Sequence, residues 1–175
     1  DIPIVTPGDA LTGAGFGNNE YGKASIGYFA MKDFLGDELF KKCLHAYMDR
    51  WHGKHPTPWD FFYSFNNVSG KNLNWFWSRW FFETNYIDLA ITSVKQSGGF
   101  TANIDNIGGM PAPFDLVATY TDGTKERFHQ TPVVWQVDPK KTSITIKTKK
   151  KVKSVNIDGG IWMDADETNN EWTAK

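Results

Sequence analysis

Two hydrophobic periods divide the chain. Between Tyr21 and Phe82 apolar residues recur every three or four positions, and beyond Tyr86 they alternate. In the first stretch Ile26, Phe29, Ala30 and Phe34 predict a helix stopped by Gly36. Asp37 is placed to cap a second helix. Its stripe is Phe40, Cys43/Leu44, Tyr47/Met48 and Trp51, and Gly53 ends it. The run His55-Pro56-Thr57-Pro58-Trp59-Asp60 is a start signal for a third. Thr57 caps, Pro58 takes the first helical position, and Asp60 completes a capping-box arrangement. This helix passes through Phe61, Phe62 and Phe65 to about Val68, where Ser69-Gly70 breaks it. A fourth holds Leu73, Trp75, Phe76, Trp77, Trp80, Phe81 and Phe82. Aromatics cover most of its circumference, which predicts burial on several sides.

In the second stretch Ile87, Leu89 and Ile91 alternate with Asp88, Ala90 and Thr92, as in a half-buried strand. Further short β-like runs lie near 100–107, 114–121, 124–129, 133–137, 142–148 and 152–157. Asp122-Gly123 between Tyr120 and Lys125 is the clearest hairpin signal. Short strands without helical patterning predict a sandwich of immunoglobulin-like type. The expected fold is therefore α+β: a helical segment of about four helices, then an immunoglobulin-like β-sandwich. The expected boundaries are a loop or linker over 1–20, helices over 21–85, the sandwich over 86–163 and a polar, irregular tail over 164–175. No internal repeat is present, and the one low-complexity piece is the lysine cluster at 147–153.

Composition narrows the function classes. The chain has 175 residues, 40% hydrophobic and 22% charged, with a formal net charge of -1. That balance gives no long-range attraction to nucleic acid or to an anionic membrane. No apolar run is long enough to span a bilayer, and no stretch reads as a signal peptide. The opening at Asp1, without a methionine, predicts processing or a boundary within a longer protein. The single cysteine, Cys43, excludes an internal disulfide and leaves the compartment open.

Few residues suggest chemistry by themselves. His52 and His55 are separated by helix breakers and have no cysteine or carboxylate at ligand spacing. His45 falls on or beside the stripe of the second helix, and His129 belongs to a strand. Lys147, Lys149 to Lys151 and Lys153 read as a solvated face of a hairpin that protects an edge. Asp164, Asp166 and Asn169 resemble part of a calcium loop but lack its glycine and bidentate glutamate, so a plain acidic turn is the default and ion binding stays open. Cys43 lies on an apolar stripe, where a buried, inert thiol is expected. Tyr21 stands after a polar loop at the expected head of a helix, where a hydroxyl could face a developing anion. Taken without other information it reads as a packing residue.

Tyr21-Gly22-Lys23, Leu35-Gly36-Asp37-Glu38-Leu39-Phe40, Thr57-Pro58-Trp59-Asp60-Phe61-Phe62 and Leu73-Asn74-Trp75-Phe76-Trp77 follow one another in an order and spacing with a precedent. They resemble the late catalytic-domain helices of the zinc aminopeptidases related to aminopeptidase N, the gluzincin family. Gly109-Met110-Pro111-Ala112-Pro113 and Tyr120-Thr121-Asp122-Gly123-Thr124 are similar to the β-sandwich that follows in that family. The likeness covers roughly residues 19–165.

The resemblance implies that residues 21–85 are the C-terminal helices of a catalytic domain, with the sandwich as a structural spacer. It implies a parent that removes N-terminal residues from peptides, with zinc as cofactor and an upstream catalytic domain as partner. It also implies a role for Tyr21: the tyrosine of the family's Tyr-x-Lys motif donates a hydrogen bond to the oxyanion of the tetrahedral intermediate. A phenol keeps its proton at neutral pH and can serve there. The family's His-Glu-x-x-His, its later glutamate and its motif for the substrate's amino group are absent from these residues. No cofactor is therefore expected in this chain, and the chain alone is expected to be inactive. Two alternatives stand beside this reading. One is a protease-like binding or scaffold module that has lost its metal. The other is a carbohydrate-binding sandwich, for which Phe100, Phe114, Tyr120, Phe128 and Trp135 are the scattered candidates.

Overall fold

A computed structural model describes residues 2–158 and 164–175. The expected sandwich end at residue 163 lies outside the described residues. The chain forms two compact units, Asp1–Thr84 and Asn85–Lys175. The first is helical and the second consists of two antiparallel sheets with seven strands in all. The α+β architecture expected from the sequence is the one observed.

In the helical unit the first helix starts earlier than its apolar pattern suggests. Thr12 caps α1 (Gly13–Phe16), its Oγ1 accepting the Gly15 N–H at 3.5 Å. The chain continues without a break into a π-helical segment (Gly17–Lys23) and then α2 (Ala24–Leu35). The residues expected as a loop before Tyr21 are thus partly helical. Glycine and asparagine are poor helix formers, and the cap at Thr12 together with tertiary bonds outweighs that preference. Asn19 is buried and donates to the Ile2 carbonyl at 2.8 Å, and the Val5 N–H donates to Phe81 at 3.1 Å.

α2 also buries a different face from the one its large residues mark. Phe29 is 54% exposed, whereas Ala24, Gly27, Ala30 and Met31 are buried. The partner explains the choice: a Cβ on Gly27 would stand 3.1 Å from Cε3 of Trp80, so the indole requires a trough of small residues. Gly36 ends α2 with φ 77°, and Asp37 is the first residue of α3 (Asp37–Trp51) rather than its cap. The Asp37 carboxylate instead pairs with Lys32 at 3.3 Å. Phe40 and Cys43 are the buried residues of α3, and Met48 at its outer edge is exposed.

α4 (Pro58–Ser69) begins as its sequence predicts, with the Asp60 carboxylate accepting the Thr57 N–H at 2.8 Å. It ends at Gly70, whose φ of 65° is left-handed. α5 (Asn74–Trp77) passes into a π-helical turn (Ser78–Phe82). Leu73, Phe76, Trp77, Trp80 and Phe81 are buried, in keeping with aromatics around the whole circumference. Phe62 and Trp77 lie 4.9 Å apart, Phe61 and Phe65 4.4 Å, and Phe76 stacks on Trp80 at 5.8 Å.

The second unit pairs β1 (Leu89–Gln96), β2 (Gly99–Asn106) and β5 (Lys141–Lys147) in the order β1-β2-β5. The other sheet runs β4-β3-β6-β7, with β3 (Phe114–Tyr120), β4 (Lys125–Gln130), β6 (Val152–Asp158) and β7 (Glu171–Thr173). Alternation sets the core: Phe100, Ala102 and Ile104 of β2 meet Phe114, Leu116, Ala118 and Tyr120 of β3 in one cluster. The Asp122-Gly123 turn joins β3 to β4. Gly123 takes φ 84°, and Asp122 Oδ1 accepts the Thr124 N–H at 2.9 Å.

Three expectations fail in this unit. Residues 133–137 are not a strand. Pro132–Trp135 form a 3₁₀ turn, because proline supplies no ladder donor and the Trp135 indole turns inward to donate to the Ala112 carbonyl at 2.9 Å. The last strand comes from the end of the chain, where Glu171–Thr173 pairs with β6. The lysine cluster is not in a hairpin, since β5 and β6 belong to different sheets. Lys150 closes that crossing, 3.2 Å from Glu126 and over the Tyr120 ring at 4.9 Å.

The register of β2 against β5 depends on Gly99. It has φ 138°, and a Cβ there would overlap the Ile146 carbonyl. Gly99→Ala is expected to lower stability by ~2–4 kcal/mol. Gly123→Ala, where nothing lies within 4 Å, should cost only about 1 kcal/mol. Urea denaturation of both variants checks the contrast. Equal midpoints would overturn it.

Candidate functional site

Tyr21 lies inside the π-helical segment Gly17–Lys23, about two turns beyond the Thr12 cap. It is not at a helix start, so the N-terminal dipole offers it no special field. A π insertion widens one turn and turns the following side chains off the regular helical face, and such insertions recur at functional sites. Here it leaves Tyr21 68% exposed, beside Phe16 with ring centroids 5.9 Å apart. The Tyr21 hydroxyl has no hydrogen-bond partner among the described residues. The third residue of the motif is anchored instead. Lys23 Nζ donates to the Glu83 carbonyl at 3.4 Å, and burial pushes its ammonium pKa down. Ser25 Oγ donates to the Gly22 carbonyl at 2.8 Å. The phenol is thus free on a segment whose neighbours are tied down.

The same unit has an open groove of about 670 Å³ lined by Tyr28, Phe40, Tyr47, Met48, Pro58 and Phe81 among others. Trp59 and Tyr63 stack at 6.3 Å and are both more than half exposed. Cys43 is fully buried, its Sγ 4.0 Å from the Phe65 carbonyl, and burial pushes the thiol pKa up, away from a reactive thiolate.

The histidines do not converge. His45 is exposed, off the buried face of α3, and His52 closes that helix with its N–H on the Met48 carbonyl at 2.8 Å. His129 Nδ1 lies 2.7 Å from Asp115 on the sandwich. Among the described residues no three His, Cys, Asp or Glu side chains form a group able to hold a metal, so zinc does not fit these residues. No helix among the described residues is long and apolar enough to cross a membrane. Phe100, Phe114, Tyr120 and Trp135 are core residues of the sandwich and Phe128 packs against them, so among the described residues these candidates form no aromatic row for a sugar.

A cluster that strand periodicity did not bring together lies where Asp88 meets the turn over 164–169. Asp164 Oδ2 accepts the Leu89 N–H at 2.9 Å, and Asp88 is buried. Burial, then the charge of Asp164, raises the Asp88 carboxyl pKa above the usual carboxylate range. Asp166 is held low by the Thr168 hydroxyl and N–H. The signal in the sequence was the pair Asp164 and Asp166; Asp88, on an alternating strand pattern, gave none.

Residues 8–80 match the model of the peptidase family M1 domain. No curated protein matches the chain. Among solved structures, an aminopeptidase A of Legionella pneumophila, determined in complex with aspartic acid, is similar at 20% identity and a TM-score of 0.55. The likeness covers 76% of this chain and only 16% of that one. Tyr21→Phe is expected to leave the thermal midpoint of the chain unchanged, within about 0.5 kcal/mol, because the hydroxyl bonds to nothing it would lose. A clear drop on calorimetry would show a structural role for the hydroxyl. Over residues 8–80 the chain is thus similar to the peptidase family M1 domain, and its fold is shared with a part of that aminopeptidase structure.

Proposed function

We propose that this chain is part of a zinc-dependent aminopeptidase that removes N-terminal residues from peptides, and that Tyr21 is its oxyanion donor. The observation that carries the reading is the exposed phenol of a Tyr-x-Lys motif, on a π-helical segment within the stretch that matches the peptidase family. In the intact enzyme the phenol donates a hydrogen bond to the oxygen that becomes negative as the peptide carbonyl turns tetrahedral. A donor fixed before the charge develops stabilises the transition state more than the substrate. Lys23, anchored to Glu83, holds the turn so that the phenol needs little reorganisation. Tyr21 acts on the substrate, and Lys23 is a positioning residue. The sandwich serves as a spacer.

Zinc in such an enzyme supplies Lewis-acid chemistry when bound. Its ligands belong to the His-Glu-x-x-His region that this sequence lacks, and no step of the present reading passes through residues of this chain to the metal.

The test is made on the intact parent protein, by elemental analysis for zinc and by aminopeptidase rate. Near-stoichiometric zinc with turnover is expected. Tyr21→Phe should then lower kcat by ~10²–10³ with KM little changed. No zinc and no turnover would replace this reading with a binding or scaffold module. The 175-residue chain alone, with added zinc, is expected to release no aminocoumarin from aminoacyl conjugates. Turnover abolished by Tyr21→Phe in that short chain would overturn the assignment of the metal site elsewhere.

A further inference from the structure

The β unit holds a group of oxygen acceptors that its own donors leave incomplete. Asp88 is 7% exposed, and its Oδ1 meets no donor among the described residues. Asn169 lies beside the Asp88 carboxylate, and its amide donates to Asp166 Oδ2 at 3.3 Å. The Asn169 Oδ1 is itself buried without a donor. Flipping the amide would set its oxygen against the Asp166 carboxylate, so charge fixes its orientation. Asp164 adjoins them, accepting the Leu89 N–H at 2.9 Å and the Asp166 N–H at 3.0 Å while keeping further lone pairs.

The charged groups acting on Asp88 are Asp164 and Asp166, and no cation is among them. Both orphaned atoms in this group are acceptors. Water could satisfy one of them, but it would not compensate the charge. Buried oxygens lacking donors beside the Asp164 carboxylate are groups that a hard cation satisfies. No three acidic, histidine or cysteine side chains converge here, which disfavours a transition metal. Calcium accepts a looser shell of carboxylate, amide and water oxygens, whereas magnesium demands a tight octahedron.

We propose that Asp88, Asp164 and Asn169 form a calcium site. The ion would tie the start of β1 to the turn before β7, segments 75 residues apart in sequence. With few charged ligands its affinity falls in the range of ~10⁻⁴–10⁻³ M typical of extracellular modules. The site is independent of the reading of Tyr21.

The experiment uses the full 175-residue chain stripped with EDTA. Equilibrium dialysis with radioactive calcium is expected to show about one ion bound per chain. In about 10 mM calcium chloride the thermal midpoint of the β unit should rise by about 6–20 °C, and magnesium chloride should do less. Asp88→Asn should abolish both effects while folding in EDTA at least as stably as the parent, because it removes one of the crowded charges. Asp164→Asn provides a second variant should the first fail to fold. No calcium bound by the parent at 10 mM would overturn the proposal, and so would unchanged binding in either variant.

Discussion

Trp80 lies against α2 at Gly27, where the helix presents hydrogen instead of a side chain. That close approach sets the layout of the helical unit. The indole is fully buried and stacks on Phe76, whose neighbour Trp77 packs on Phe61, Phe62 and Phe65 of α4. The aromatic lattice therefore fixes α2, and through it the π-helical segment that precedes it in the same continuous helix. A Cβ at Gly27 would push the two elements apart by a few tenths of an ångström, and everything upstream would turn with α2. The sandwich uses the same constraint on its backbone. Gly99 and Gly108 sit under the carbonyls of Ile146 and Tyr86, where no side chain fits.

Most elements were legible because their stop and start signals are local. Gly36, the Thr57-Pro58-Asp60 start, Gly70 and the Asp122-Gly123 turn each act through the conformation of one or two residues. What was not legible depended on partners distant in sequence. Phe29 belongs to the predicted apolar stripe, yet the structure leaves it exposed, since the shape of Trp80 selects small residues instead. Val133, Val134 and Trp135 have strand propensity, yet Pro132 and the indole bond to Ala112 turn them into a 3₁₀ turn. Glu171–Thr173 has no pattern of its own and becomes a strand only because β6 offers it an edge.

The candidate site was legible to a smaller degree. The motif Tyr21-Gly22-Lys23 could be read, but not the π-helical geometry that carries it, which arises from the Thr12 cap, the Asn19–Ile2 bond and the Lys23–Glu83 bond. Each of those partners lies outside the motif. The acidic cluster repeats the lesson in the other unit. Asp164 and Asp166 are neighbours in sequence, whereas Asp88 joins them only after β1 and the segment before β7 come together.

The only thiol in the chain, Cys43, is sealed between α3 and α4. Its burial has a consequence for how openings of the protein are partitioned. A reagent reaches the sulfur only when those two helices separate, and separation means losing the Phe40–Phe65 edge contact. The rate of its modification therefore counts excursions of one unit alone, and fluctuations of the sandwich leave it silent. The chain carries an internal clock for the cohesion of its aromatic half.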